Sequence, residues 1–233
     1  MDCIARNLID CSVVKLVHYR AQSVTVNRRR VYDVGGYRYP GVTTVLSATK
    51  PAEARAALQR WRSRVGPAEA QRISGQASSV GTRLHRCIAA TLRGEPVTVP
   101  QDLADYWASM QPTLNAVEEA WLVEGAVWHR AGFVGFPDAL VVTGGRLCLW
   151  DWKTARQPKR IEWITDYFLQ TAAYWKAIEQ VYADQGVQID EARIAIALAD
   201  QPAQQFTLEL DALTDVWEHF QRRLWAYHAR YHP

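Results

Sequence analysis

Gly144-Gly145-Arg146-Leu147-Cys148-Leu149-Trp150-Asp151-Trp152-Lys153-Thr154 is the stretch from which the chain can be organised. A Gly-Gly pair between alternating residues signals a hairpin turn, because glycine takes positive φ without a steric penalty. Arg146 to Trp152 then reads as a strand, strongly apolar at Leu147, Leu149 and Trp150. Residues two apart in a strand share a face. Asp151 and Lys153 therefore sit side by side at the end of a buried element, with Trp152 facing the other way. There the carboxylate can bind a divalent metal. The ammonium can stabilise charge or help position and deprotonate water, since a crowded lysine shifts its pKa readily.

Working outward, the Gly144-Gly145 turn folds the preceding strand, Phe133 to Val142, back onto this one. Asp138 and Asp151 each lie six residues from the turn, which makes them cross-strand neighbours. Two such carboxylates repel, and a metal ion between them removes the penalty. Oxygen ligands favour magnesium or manganese. His85, on a helix from Ser78 to Leu92, would approach from the helical side and tilt the preference towards manganese. Singly these pieces are weak. An isolated Asp-x-Lys is usually a surface ion pair, a helical His usually a satisfied residue, and Asp138 after Pro137 can be a turn former. Gln170 and Tyr174, one helical turn apart, can form a solvated edge. The ordered set carries the weight.

The rest of the chain places these residues. Ser12 to Tyr19 reads as a strand, and Arg30 to Tyr39 as a hairpin centred on Gly35-Gly36. Pro40-Gly41 is a turn, and Thr43 or Thr44 can cap the helix after it. Helices follow over Pro51 to Val65, Ser78 to Leu92 and Asp102 to Glu119, the last with a break near Pro112. Trp121 to His129, Phe133 to Val142 and Arg146 to Trp152 form a strand meander. A helix from Thr165 to Tyr182, strands over Ile194 to Ala199 and Gln205 to Leu210, and a helix from Ala212 to Tyr231 complete the order. A mixed sheet flanked by helices, α/β or α+β, is the natural packing.

Composition narrows the class. The 233 residues are 48% hydrophobic, which supports a sizeable core and excludes a disordered chain. The formal charge of +3 does not by itself select a partner. Almost all the positive charge is arginine, which favours phosphate contacts and stacking, although a GC-rich genome produces the same bias. Cys3, Cys11, Cys87 and Cys148 have no CxxC or CxxH spacing, so neither a zinc ribbon nor a disulfide framework is indicated. No apolar run reaches membrane-spanning length, and Met1 to Cys11 has no signal-peptide core. A cytoplasmic protein without a membrane partner is expected.

Four stretches, Gly81 to His85, Gly135 to Asp138, Asp151 to Lys153 and Gln170 to Tyr174, follow the GxxxH, GxxD, D/E-x-K and QxxxY order. In this the sequence resembles the PD-(D/E)xK nuclease superfamily in its RecB-like exonuclease branch. Tyr39 to Leu46 and Gly145 to Thr154 extend the likeness to the genome-maintenance exonucleases of mitochondria and their bacterial and phage relatives. The resemblance implies a restriction-endonuclease-like mixed central sheet flanked by helices, with a helical insertion forming an arch through which a strand threads. It implies a single-stranded DNA exonuclease working from free ends in repair, recombination or replication. It further implies metal ligation by His85, Asp138, Asp151 and the Trp152 carbonyl, catalysis by Lys153 with both aspartates, and strand-holding by Gln170 and Tyr174. Glu124 falls where many relatives carry a supporting acid. Residues 1–39 form a strand and hairpin segment outside the motifs. Residues 40–233 form the nuclease domain, helical over about 43–119 and holding the catalytic sheet over about 121–233. No cysteine follows Cys148, so the iron-sulfur cluster of some relatives is not expected. Met1 to Cys11 does not resemble a mitochondrial presequence, which favours a bacterial or phage origin.

A nuclease must also hold its substrate. Thr43 and Thr44 at a helix start offer hydroxyls beside free amides, an anion site or simply a cap. Arg60, Trp61, Arg62 and Arg64 combine bases with an aromatic ring on one helix, as single-strand binding requires, or form a solvated arginine face with Trp61 in the core. Arg28 to Arg30 form a second basic cluster. A duplex or branched-DNA endonuclease and a non-catalytic DNA-binding module remain open alternatives.

Overall fold

The computed structural model describes residues 15–231. Met1 to Cys11, including Cys3 and Cys11, lies outside the described residues, as does the Ser12 to Val14 part of the first expected strand. Lys15 to Tyr19 forms no strand. It is fastened instead by single bonds: Leu16 N–H to the Trp121 carbonyl (3.0 Å), Tyr182 hydroxyl to the Val17 carbonyl (2.7 Å) and Ala126 N–H to the Tyr19 carbonyl (2.9 Å).

Three antiparallel strands come next, β1 (Gln22–Val26), β2 (Arg29–Val34) and β3 (Tyr37–Tyr39). Four helices follow: α1 (Val42–Ala48), α2 (Ala52–Val65), α3 (Pro67–Leu92) and α4 (Ala104–Asn115). The remainder is β4 (Glu119–Val123), β5 (Val127–His129), β6 (Phe133–Gly135), β7 (Ala139–Thr143), β8 (Arg146–Ala155), α5 (Thr165–Val181), β9 (Glu191–Leu198), β10 (Gln204–Glu209) and α6 (Leu210–Tyr231). The central sheet has the order β10-β9-β8-β7-β4, parallel between β8 and β9 and antiparallel elsewhere. The parallel pair needs a crossover, and α5 lies within it.

Strand β8 is central and covered on both faces, which explains its near-continuous apolar run. Leu147 and Leu149 join the core shared with α5 and α6. Cys148, Trp150 and Trp152 join the second core, under α3 and α4. The structure is thus the mixed sheet flanked by helices expected of a restriction-endonuclease-like fold.

Two long strands of the expected meander are each interrupted. Glu124, at φ +55°, and Gly125 separate β4 from β5. Phe136-Pro137-Asp138 separates β6 from β7, because Pro137 has no N–H for the ladder. β5 and β6 pair as a small sheet of their own. Asp138 therefore stands in a turn and not on a strand. Ala139 pairs with Trp150, and continuing that register sets Asp138 across from Asp151.

The helical region also differs from expectation. α3 begins at Pro67 and not at Ser78, with Pro in its first turn. At 26 residues it is about 39 Å long. Its C-terminal half buries Leu84, Cys87, Ile88 and Leu92, while of its N-terminal half only Ala70 is buried. α2 has no buried residue at all. The α2–α3 hairpin thus stands away from the sheet at one end and is anchored to it at the other. α4 runs through Pro112 without a break. One lost ladder bond is offset there by the burial of Met110 and Leu114. Among the described residues, no helix is long and apolar enough to cross a membrane.

Candidate active site

The expected strand Arg146 to Trp152 runs on to Ala155, so Asp151 and Lys153 lie inside β8, paired with β9. They stand just past Trp150, where the pairing with β7 stops; there β8 and the anchored half of α3 meet at the Asp138 turn. Asp151 is wholly buried and the Lys153 side chain is 17% exposed. The Lys153 ammonium makes a close ion contact with Asp151 Oδ2 and lies 5.2 Å over the Tyr167 ring. Gln170 Nε2 donates to Asp151 Oδ1 at 3.1 Å and to the Tyr174 hydroxyl at 2.9 Å. Tyr167, Gln170 and Tyr174 follow i, i+3, i+7 spacing, which puts them on one face of α5, towards the Asp151 side of β8.

Asp138 is clamped from three sides. Its Oδ2 accepts the Trp152 N–H at 2.7 Å, and its Oδ1 lies 3.2 Å from His85 Nδ1. Its backbone carbonyl accepts the Glu124 N–H at 3.2 Å. Gly135 matters for a different reason. A Cβ there would lie 2.5–2.6 Å from the Tyr174 ring. Only glycine lets that ring rest against the chain just before the Asp138 turn.

Burial and neighbouring charge push these groups apart. Burial, reinforced by Asp138, raises the Asp151 carboxyl to about 6 against the pull of Lys153 and His85. Burial also opposes the charge on Asp138, but His85, Lys153 and the Trp152 N–H outweigh it and hold this carboxyl below its ordinary range. His85 and Lys153 are both raised, since Asp138 and Asp151 outweigh the desolvation of each cation. Lys153 is therefore held as an ammonium, suited to stabilising negative charge more than to removing a proton.

Among the described residues, no three His, Cys, Asp or Glu side chains stand together as a ready-made ligand group. The acids are engaged pairwise with His85, Lys153 and Gln170. The donor set nonetheless fits a divalent cation. Asp151 Oδ2 is buried with no aligned hydrogen-bond donor beyond the ammonium's ion contact. Asp138, the His85 imidazole and the Trp152 carbonyl could complete a mixed oxygen and nitrogen set once the His85–Asp138 contact loosens. A cleft of about 390 Å³, lined by Gly81, Thr82, His85, Arg86 and Glu124, opens beside it. Glu124 lies on the turn after β4, with its carboxylate 3.1 Å from Arg93.

Residues 103–230, just over half of the chain, match the PD-(D/E)XK nuclease superfamily. The chain belongs to this superfamily. The matched stretch of this PD-(D/E)XK protein holds Asp138, Asp151, Lys153, Gln170 and Tyr174, while His85 precedes it. The protein is also similar to mitochondrial genome maintenance exonuclease 1 of Mus musculus (28% identical over 198 residues), Homo sapiens (27% over 199) and Xenopus tropicalis (29% over 201). Each match covers 81% of this chain but only 57–58% of the relative, so the chain spans a little under three fifths of those proteins' length.

The other candidate residues of this PD-(D/E)XK protein lie apart from its acids. Gly41 occupies the N-cap of α1, and no side chain caps it, so neither Thr43 nor Thr44 is the cap. Both line a shallow cavity of about 400 Å³ with Arg29, Ser47, Tyr227 and Tyr231. Arg60 and Arg64 are exposed on α2, and Trp61 is half-exposed, outside the core. Sequence reasoning missed Tyr167 beneath the lysine, the Trp152 N–H as the clamp on Asp138, and the close approach at Gly135. Tyr167 had a signal, since it precedes Gln170 by three positions.

Proposed function

We propose that this protein hydrolyses phosphodiester bonds in DNA. On this reading it degrades single strands from free ends, using magnesium or manganese, in repair, recombination or replication. The observation that carries the reading is the pairing of Asp151 with Lys153 on β8, while Asp138 is fixed opposite by the Trp152 N–H. The names of the similar proteins, all exonucleases, support it. The projecting α2–α3 hairpin supports a threaded strand, with Arg60 and Arg64 exposed and Trp61 half-exposed along it.

His85, Asp138, Asp151 and the Trp152 carbonyl would hold the cation. A bound divalent cation supplies Lewis acidity, lowering the pKa of water and neutralising phosphate charge. The protein's own groups do the rest. Lys153 meets negative charge developing on the phosphate oxygens as a fixed ammonium. Gln170 orients Asp151, and His85 orients Asp138. Glu124 steadies the Asp138 turn through its backbone, and Gln170 would contact the strand at the site while the buried Tyr174 accepts its amide N–H and holds it in place.

The test is a substrate panel of end-labelled linear single strands, linear duplex and closed circular single strands, each with magnesium, manganese or chelator. Linear single strands should be degraded, circles spared and chelated reactions silent. Cleaved circles would replace the exonuclease reading with an endonuclease. Binding without cleavage of any substrate would leave a DNA-binding module.

A further inference from the structure

We propose that the β1–β2–β3 sheet is a stacking platform for single-stranded DNA, carrying nucleotides onward from the catalytic site. The proposal rests on the DNA-nuclease reading above and assigns that substrate a path outside the motif-bearing region.

Strand register defines one face of this sheet. Tyr32 pairs with Tyr39, Val34 with Tyr37 and Thr25 with Arg30, and directly paired residues project to the same side. Arg30, Tyr32, Tyr37 and Tyr39 therefore share a face. Tyr37 is 68% exposed, in a chain whose large hydrophobic residues are mostly buried. Its ring lies parallel to that of Tyr39, at 7°, with centroids 6.2 Å apart. Arg30 donates to the Tyr32 hydroxyl and places its guanidinium 5.3 Å from that ring. Arg28, in the turn between β1 and β2, is also exposed, whereas Arg29, Asp33 and Arg38 alternate to the opposite face, with Arg29 over the Tyr231 ring.

The platform is continuous with the catalytic turn. The Tyr32 ring packs 4.9 Å from that of Phe136. Phe136 is half-exposed and stands two residues before Asp138. The chain between the two units is tied down, since Val134 N–H bonds the Pro40 carbonyl at 3.0 Å and Gly41 bridges to Val134. Phe136, Tyr39 and Tyr37 thus form a row leading away from the acids, with the buried Tyr32 bridging Phe136 to the sheet and Arg30 at its edge. Rings serve planar bases of any sequence, and arginine serves phosphates and adds cation–π contact. A flexible polyanion with exposed bases fits this face in charge and in shape. A duplex, with its bases stacked internally, has none to offer.

The test measures binding of fluorescein-labelled oligo-dT to the full chain in chelator, comparing oligomers of about 5 and about 20 nucleotides. Tyr37→Ala should bind the long oligomer about tenfold more weakly than wild type and the short one unchanged. Tyr37→Phe, which keeps the ring, should restore long-oligomer binding. Wild-type cleavage of both oligomers with manganese separates the two readings. If wild type cuts both and Tyr37→Ala binds the long oligomer normally, the platform is wrong and the nuclease reading stands. Equal weakening on both lengths would place Tyr37 in the catalytic groove and also overturn the platform. A wild type that neither binds nor cuts overturns both.

Discussion

Replacing Lys153 by methionine removes an ammonium and keeps most of the side chain's bulk, so the effects should follow from charge. Asp151 has no exposed surface, and its remaining partner is the Gln170 amide. Even with Lys153 present, burial raises this carboxyl to about 6. Two units above an ordinary aspartate correspond to about 3 kcal/mol of penalty on the ionised form at neutral pH. Without the ammonium, its strongest opposing attraction is lost. Stranding one partner of a buried pair costs about 3–5 kcal/mol if the charge persists, and protonation caps the loss. Because the folded pKa of Asp151 lies above the unfolded one, the penalty is full at pH above 6 and fades as pH falls towards 4. Lys153→Met should therefore lose about 2–4 kcal/mol of stability near pH 8 and under about 1 kcal/mol near pH 5. Urea denaturation of both proteins in chelator, at the two pH values, reads this directly. DNA cleavage at the higher pH should fall by about 10²–10³, the loss expected when one charge-stabilising donor is removed. An equal stability loss at both pH values would refute the charge argument, and undiminished cleavage would refute the role given to Lys153.

Three further outcomes follow from the geometry. Gly135→Ala forces a Cβ against the Tyr174 ring and should cost about 1–3 kcal/mol in thermal or urea unfolding, with slower cleavage as Tyr174 is displaced. His85→Ala releases Asp138 Oδ1 and should weaken manganese binding by about 10–100-fold in calorimetry, while the fold persists. Trp61→Ala, on a helix without buried residues, should leave the melting temperature unchanged and weaken single-strand binding about tenfold in anisotropy.

The parts of this protein that were legible in its sequence are those where burial wrote a pattern. The run from Leu147 to Trp152 is apolar because both faces of β8 are covered, and its alternation gave the shared face of Asp151 and Lys153. The Gly144-Gly145 turn gave the register with β7. Where burial is weak, the pattern fails. The first half of α3 carries no apolar stripe, so its helix is invisible until Leu84 begins to pack. β1 is exposed on much of its length, and its turn uses Asn27 and Arg28 at positive φ in place of Asn-Gly. The interruption at Phe136-Pro137-Asp138 was written in Pro137, but an otherwise apolar run from Phe133 to Val142 masked it. That interruption is what frees Asp138 from the ladder, letting its carboxylate reach the Trp152 N–H and His85. His85 itself had no local signal, because its approach depends on the packing of Leu84 and Ile88 beneath the sheet.

Asp151 is the group on which the site's chemistry turns. Asp151→Asn preserves the side chain's shape and its place beside Gln170 while removing the charge that the site is built around. With end-labelled linear single-stranded DNA and manganese or magnesium, wild type should degrade the strand. The variant, equally folded by circular dichroism and still able to bind DNA, should leave it intact. Degradation by Asp151→Asn at the wild-type rate would contradict the assignment of this site.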